Sequence, residues 1–265
     1  MASAPAGAAL NRLRQAVATI EKNTGFSEDA GSLALGLPGL DAALAGGLAR
    51  AALHELAPAV PAQFGAAVGF ALALAVRAAA GARPVLFVQT DFAALEAGAP
   101  YGPGLECLGL PMPLLLLLRV PRPIDVLWAA EEALKSRGVA MVIAELPGDG
   151  AMADLTVTRR LTLAARAGGG IGLLLRHRPS PFATAATTRW RISSSPSVPD
   201  KYGGLGRTAF DLSLDRNKHG RGGHFIVSWD HHARIFLQQT YPVGVAAAAF
   251  DRSAESLTRA AAHRA

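Results

Sequence analysis

The sequence predicts an α/β fold: a mainly parallel sheet covered by helices on both faces and extended by C-terminal antiparallel strands. Up to about residue 176, apolar runs of strand length alternate with segments of helix length, as in parallel sheets with helical crossovers. After residue 186, short alternating runs are separated by Gly-rich turns, which is typical of antiparallel strands. With 265 residues, 51% of them hydrophobic, the chain can bury a large core.

The parallel part is expected to begin with a strand at 52–56, followed by an Ala-rich buried helix at 64–80. The later apolar runs predict four more strands, at 84–90, 114–120, 139–145 and 170–176. Helices are expected between them, from residue 90 to about 98, at 123–136 and at 152–167. The run Leu114 to Leu118 is interpreted as a buried strand.

The antiparallel part is expected to contain four strands, at 188–193, 208–214, 224–229 and 234–238. Trp190 and Trp229 lie on these strands, where packing in the core is favoured over stacking on nucleic-acid bases. This gives a core domain at 31–240. It is preceded at 1–30 by an amphipathic helix and a linker, and followed by a tail at 241–265.

The composition indicates a cytoplasmic protein with no membrane span. The longest apolar stretch, Phe64 to Val76, is too short to cross a bilayer. A single cysteine, Cys107, excludes an internal disulfide and a cysteine-based zinc site, and we interpret it as a buried structural residue.

The charge is divided unevenly along the chain. Residues 1–150 carry 10 Lys/Arg and 13 Asp/Glu, whereas residues 151–265 carry 16 and 7, a balance of +9. A basic half suggests DNA or an acidic protein surface as partner, although an Arg-rich surface from a GC-rich genome explains it equally well.

The turn after the first core strand occupies the place of a phosphate-binding loop but lacks its chemistry. Such a loop needs glycines, a Lys for the phosphate charge and a Ser or Thr for Mg²⁺. Here Pro58 and Pro61 remove N–H donors, and Gln63 and Phe64 stand where Lys and Ser/Thr are required. We therefore predict a degenerate loop (Ala57, Pro58, Ala62, Gln63, Phe64), no nucleotide or other cofactor, and no ATPase or other enzymatic activity.

The other candidate residues in the sequence point to structural roles. Gly65 and Gly69 are expected to permit close helix packing. Four histidines of the C-terminal part match no compact zinc-ligand spacing, so no metal site is predicted: His219, His224, His231 and His232.

Several segments resemble the RecA recombinase family when they are taken in order. They are LGLPGLDAALAGGLARAALHEL (35–56), PVLFVQTDFAAL (84–95), YGPGLECLGLP (101–111), VAMVIAELPG (139–148), TTRWRIS (187–193) and FDLSLDRNKHGRGGHFIV (210–227). The resemblance implies a RecA-like core. For the N-terminal helix it implies docking on a neighbouring subunit, while docking on its own domain stays an equal alternative. The resemblance also places Asp91 near the catalytic glutamate of that family and Glu145 near its Walker B aspartate. Without the lysine and hydroxyl of a working loop, we interpret both as relics or local hydrogen-bond acceptors.

The chain more closely resembles the ImuA family of damage-inducible mutagenesis proteins. Its opening LPGLDAALAGGL, its HEL strand with the degenerate loop, and its late turn LDRNKHGRG (214–222) carry that resemblance. It implies a non-catalytic, protein-binding adaptor in SOS-induced error-prone translesion synthesis. The implied partners are an ImuB-like inactive Y-family polymerase homologue, an error-prone polymerase III α-type subunit and, as a further candidate, the RecA recombinase.

Two other function classes remain open: a cell-division inhibitor of the SulA type, and an ATP-dependent RecA-like paralogue that binds DNA. Self-association is also open. Six basic residues of the C-terminal half are candidate contacts for DNA phosphates or an acidic partner: Arg189, Arg191, Arg207, Arg216, Lys218 and Arg221.

Overall fold

A computed structural model describes residues 31–148, 151–199 and 204–239 of the chain. The predicted N-terminal helix at 8–22 and the predicted tail at 241–265 lie outside these residues. In the described part, a small antiparallel pair of strands precedes one large mixed sheet of nine strands. The small pair consists of β1 (Ser32–Leu33) and β2 (Leu48–Ala49).

The large sheet has six neighbouring parallel strands at its centre and one side, and three antiparallel strands on the other side. Its order is β11-β10-β9-β8-β3-β7-β6-β4-β5. The strands are β3 (Ala52–Pro58), β4 (Val85–Thr90), β5 (Leu115–Val120), β6 (Met141–Leu146), β7 (Ile171–Arg176), β8 (Thr188–Ser195), β9 (Ala209–Asn217), β10 (Gly223–Asp230) and β11 (Ile235–Gln238). The antiparallel pairing begins between β8 and β9, which confirms the predicted fold class. Strand β8, which was expected to belong to the antiparallel part, also pairs in parallel with β3 and so joins the two parts of the sheet.

Helices cover both faces of this sheet. The described helices are α1 (Pro38–Ala43), α2 (Phe64–Ala79), α3 (Asp91–Glu96), α4 (Gly102–Leu108), α5 (Pro123–Lys135) and α6 (Leu155–Gly168). Helix α2 packs on one face in a large apolar cluster that also includes α4. Helices α5 and α6 pack on the other face in a second cluster.

Helix α2 carries the centre of the first apolar cluster. The helical stretch Pro61–Ala79 is long and apolar enough to cross a membrane by composition, yet more than half of it is buried inside the protein. Phe70 projects from it against the aromatic rings of Trp190, Phe210 and Phe236, which join the antiparallel strands to the parallel core. These contacts identify α2 as a core helix.

The two tryptophans are buried as predicted. Trp190 and Trp229 are 1% and 2% exposed, and the Trp229 ring meets Phe236 edge-on at 4.8 Å between centroids. Packing in the core, rather than base stacking, is therefore confirmed as their role.

The prediction that the run Leu114 to Leu118 is buried is wrong. Its residues do form a strand, but within the described part of the chain β5 is the last strand of the sheet and pairs with β4 alone. Leu116, Leu117 and Leu118 are 48%, 42% and 38% exposed. A run of apolar residues predicts a strand, whereas the order of strands depends on contacts that are distant in sequence.

Candidate functional site

The candidate site lies at the carboxyl edge of the parallel strands, where open α/β sheets bind their ligands. Strand β3 ends here in Ala57 and Pro58, which are both buried. A short 3₁₀ turn (Pro61–Gln63) follows and leads directly into α2 at Phe64.

The turn between β3 and α2 is bound to the neighbouring strand β8. The Ala59 amide donates to the Ile192 carbonyl at 2.8 Å. The Gln63 side-chain oxygen accepts from both the amide and the hydroxyl of Ser194, at 2.9 and 2.8 Å. Ala62 is exposed within the turn. The groups of this turn therefore form contacts with β8 in place of a phosphate cradle.

Beside the turn, Glu145 lies at the centre of a polar cluster. Its carboxylate contacts the His177 imidazole at 2.7 Å, and its second oxygen accepts from the Gln89 amide at 3.3 Å. The Phe64 ring packs on the His177 ring with 4.1 Å between centroids. Glu145 is only 2% exposed. Its carboxylate acts as a local hydrogen-bond acceptor, which is one of the two roles expected for it.

Asp91 differs from Glu145 in its surroundings. It is the first residue of α3 and is exposed, while the adjacent Thr90 hydroxyl caps the helix by accepting from the Ala93 amide at 3.0 Å. An acidic residue in the first turn of a helix is stabilised by the helix dipole. This position in the first turn is a sufficient structural reason for an acidic residue at 91.

A cavity of about 290 Å³ opens next to this cluster. Its side chains are apolar except for the Glu145 carboxylate and the Tyr101 hydroxyl. The lining comprises Phe64, Val68, Leu72, Phe87, Ala97, Gly98, Ala99, Pro100, Tyr101, Gly104, Leu105, Leu108 and Glu145. The cavity thus combines one buried carboxylate with hydrocarbon walls. Such a lining favours apolar groups and does not complement the charge of a triphosphate.

The two glycines at the start of α2 have different surroundings. A Cβ on Gly69 would lie 3.4 Å from the Phe210 ring, so close packing is confirmed at this position. A Cβ on Gly65 would meet nothing within 4 Å, so the expected close packing is wrong there. Gly65 lies on the exposed side of the first turn of α2.

Sequence reasoning missed a buried ionic network centred on Glu55 in β3. Its carboxylate lies 2.7 Å from Nε of Arg176 and 3.6 Å from Nε of Arg189. The Thr184 hydroxyl donates to the second carboxylate oxygen at 2.9 Å. Glu55 and Arg176 are almost completely buried, so their attraction offsets part of the cost of removing both charges from water.

This network holds an extended segment, residues 177–187, that crosses β3 to connect β7 with β8. The connection between these parallel strands contains no helix, and basic side chains fix it instead. Arg189 donates to the Phe182 carbonyl at 2.6 Å, Arg216 to that of Thr184 at 3.0 Å, and Lys218 to that of Ala185. Three of the six candidate contact residues therefore also bind the protein backbone.

The other three candidate residues lie at the surface. Arg191 pairs with Asp215 at 2.6 Å and Arg207 with Asp230 at 2.9 Å. Arg221 is exposed and has no side-chain ion pair within the described residues. The structure does not bring the six residues together in one site, and contact with DNA stays a prediction for them.

A positive cluster nevertheless exists at the end of β9. Burial, followed by the nearby charges of Arg216 and Arg166, lowers the pKa of Lys218. Arg166 belongs to α6 and was not among the residues expected from the sequence. Charges of one sign that lie this close together attract an anion.

A second buried polar network surrounds His54, the residue of β3 that precedes Glu55. Its Nδ1 lies 2.7 Å from the Thr188 hydroxyl, and its Nε2 lies 2.9 Å from the Ala49 carbonyl. Since a carbonyl can only accept, Nε2 carries the proton and Nδ1 accepts from Thr188. The Thr188 oxygen in turn accepts from the Trp190 indole at 2.7 Å. Burial lowers the pKa of His54 to about 4.

The sequence does contain a signal for both networks, because His54 and Glu55 are consecutive polar residues in an otherwise apolar strand. Successive strand residues point to opposite faces, so His54 and Glu55 each need partners on a different face of the sheet. Their burial without partners would cost several kcal/mol, on the order of 2–7 for each polar group.

Four further histidines of the described residues and Cys107 lie at the surface; the histidines are His219, His224, His231 and His232. His224 contacts Asp211 at 2.5 Å, and the rings of His231 and His232 lie 4.0 Å apart. Among the described residues, no group of three or more His, Cys, Asp or Glu side chains could hold a metal ion. Cys107 is exposed, so the prediction that it is a buried structural residue is wrong. It lies on the short helix α4, which the sequence pattern did not predict.

No family model matches the chain. It is similar to two curated proteins named Protein ImuA, from Caulobacter vibrioides strains NA1000 / CB15N and ATCC 19089 / CIP 103742 / CB 15. Each is 36% identical over 138 residues, which are 48% of this chain and 55% of the relative. The chain therefore spans about half the length of the curated relatives it matches. The similarity confirms the expected resemblance to ImuA.

Proposed function

We propose, on the premise that this chain is a homologue of ImuA over about half its length, that it serves in DNA-damage-inducible mutagenesis. Within that role we propose a cytoplasmic, non-catalytic adaptor in error-prone translesion synthesis. Its partners would be an ImuB-like inactive polymerase homologue and an error-prone polymerase III α-type subunit, with the RecA recombinase as a further candidate.

The non-catalytic part of this proposal rests on one observation. The residues at the position of the phosphate loop form contacts within the protein. Gln63 binds Ser194 on β8, and the Phe64 ring packs on His177. An NTPase needs a Lys and a hydroxyl at these two positions to neutralise phosphate charge and to hold Mg²⁺. The side chains present supply neither group, and this supports binding of partners as the activity.

Asp91 and Glu145, which the RecA resemblance places near catalytic carboxylates, provide a decisive test. In a strain that lacks this protein, damage-induced mutation frequency is measured after complementation with the wild type, Asp91→Asn or Glu145→Gln. The adaptor proposal predicts that both variants restore mutagenesis to within about twofold of the wild type. In a hydrolase, loss of a catalytic carboxylate lowers the rate by orders of magnitude, roughly 10²-fold or more.

Asp91→Asn is the cleaner of the two variants because Asp91 is exposed and its loss leaves the core intact. Glu145→Gln keeps the shape of a buried side chain, and its folding is checked by circular dichroism. Loss of mutagenesis in a folded Asp91→Asn protein would overturn the non-catalytic proposal. Titration of the wild type with Mg-ATP in a calorimeter gives an independent measurement, for which we expect no binding heat.

A further inference from the structure

The edge strand β5 has the features of an interaction surface. It is the last strand of the nine-stranded sheet, so the backbone groups that face away from β4 have no strand partner among the described residues. Its sequence, LLLLRV, contains no Pro, Gly or Lys, and it lies between Pro113 and Pro121. Proteins usually protect such an edge with charge, proline or a bulge, because an unprotected edge pairs with another strand.

Both faces of this strand expose leucine side chains. Leu118 pairs with Val88, which belongs to the apolar cluster under α5, so Leu116 and Leu118 lie on the α5 face. Leu117 pairs with Phe87, which belongs to the cluster under α2, and lies on the opposite face. Burial of these exposed leucines would stabilise a strand added at the edge on both of its sides.

The sequence of β5 is complementary to itself in one antiparallel register. If the strand pairs with its own copy around Leu117, then Leu116 faces Leu118 of the second copy and Leu117 faces Leu117. Arg119, the single charged residue, faces Leu115, so no like charges are opposed. The five pairs from 115 to 119 fit between the two flanking prolines.

We propose that two copies of this chain associate through β5, with a twofold axis through Leu117 perpendicular to the sheet. This symmetry joins the two sheets edge to edge and keeps α5 of both copies on the same face. A second copy is the occupant that β5 fits, because the three central pairs of this register join leucine to leucine and the two outer pairs place Arg119 beside Leu115 rather than beside a like charge. The assembly is closed, so it stops at two copies.

Sedimentation velocity of the full chain over a range of concentrations tests this proposal. We expect a monomer–dimer equilibrium, and we expect Leu117→Lys to raise its dissociation constant by roughly a hundredfold, since it places two like charges opposite each other. The matched control is Leu163→Lys in α6, because Leu163 is 45% exposed and Leu117 is 42% exposed. The control variant should form dimers like the wild type.

A cysteine cross-link tests the register and does not depend on how Leu117→Lys folds. In a Cys107→Ser background, Leu117→Cys should form a disulfide-linked dimer under mild oxidation. Arg119→Cys should not, because in this register residues 119 of the two copies lie about 14 Å apart, beyond the reach of a disulfide. A monomer at all concentrations, a dimer unaffected by Leu117→Lys, open-ended polymers, or preferential cross-linking at 119 would each overturn the proposal.

Discussion

The buried His54 predicts a specific loss of stability at mildly acidic pH. Its imidazole is neutral in the folded protein, because burial lowers its pKa from 6.5 to about 4. In the unfolded chain the imidazole takes up a proton below pH 6.5. Stability from this residue is therefore complete above pH 6.5 and is lost as the pH falls towards 4.

The size of the effect follows from the two pKa values. A shift of one pKa unit corresponds to about 1.4 kcal/mol, so the full contribution of His54 is about 3 kcal/mol. Between pH 8 and pH 5 about 2 kcal/mol of this should be lost. The assay is urea unfolding at both pH values, followed by the fluorescence of the buried Trp190, which is bonded to the same network.

The control is His54→Gln, which keeps an N–H donor for the Ala49 carbonyl but has no titrating group. The variant should be less stable at pH 8 and should lose about 2 kcal/mol less than the wild type between pH 8 and pH 5. This difference separates His54 from other groups that titrate over the same range. Parallel pH profiles for the two proteins would refute a neutral, buried His54.

Three further predictions concern single side chains. Glu55→Gln should lower the free energy of unfolding by about 3 kcal/mol or more, since it removes a buried carboxylate that lies 2.7 Å from the buried Arg176 guanidinium. Asp215→Asn in an exposed pair should cost less than about 1 kcal/mol, and equal effects of the two variants in urea unfolding would contradict the network. Gly65→Ala should stabilise the protein by about 0.5 kcal/mol, because its Cβ meets open space in a helix; a loss of thermal stability would contradict this. Arg221→Glu should weaken the binding of fluorescent single-stranded DNA and reduce the salt dependence of the affinity by about one counterion. If the wild type does not bind this DNA at low salt, DNA is excluded as a partner.

The positions of the strands could be predicted from the sequence because local patterns determine them. The apolar runs near Phe87, Ile143 and Leu173 are buried on both faces, and each was recognised by length and composition alone. The change to antiparallel strands followed from the Gly-rich turns. Each of these features can be predicted from a short stretch of the sequence.

Features that depend on the order of strands could not be predicted in the same way. The leucines of β5 and those of β7 have similar sequence patterns, yet β7 lies between two strands and β5 at the edge. The exposure of Cys107 likewise depends on where α4 packs. In both cases the contacts join residues that are distant in sequence.

The sequence predicts that the candidate site lacks the phosphate-binding groups of a working loop. It does not predict the contacts that the site forms instead. The replacement of Lys and Ser/Thr by Gln63 and Phe64 was visible in the sequence. The packing of Phe64 on His177 was not, because His177 lies more than a hundred residues further along the chain. The roles of Arg189 and Arg216 in fixing the crossover depend on a segment whose path no periodicity predicts.

The most direct test of the adaptor proposal is an affinity purification of the tagged full chain from DNA-damaged cells, with mass spectrometry of the proteins recovered. The proposal predicts an inactive Y-family polymerase homologue or an α-type replicative polymerase subunit, absent when an unrelated tagged protein is used. Recovery of the tubulin-like division protein without any polymerase component would contradict it and would favour the division-inhibitor alternative.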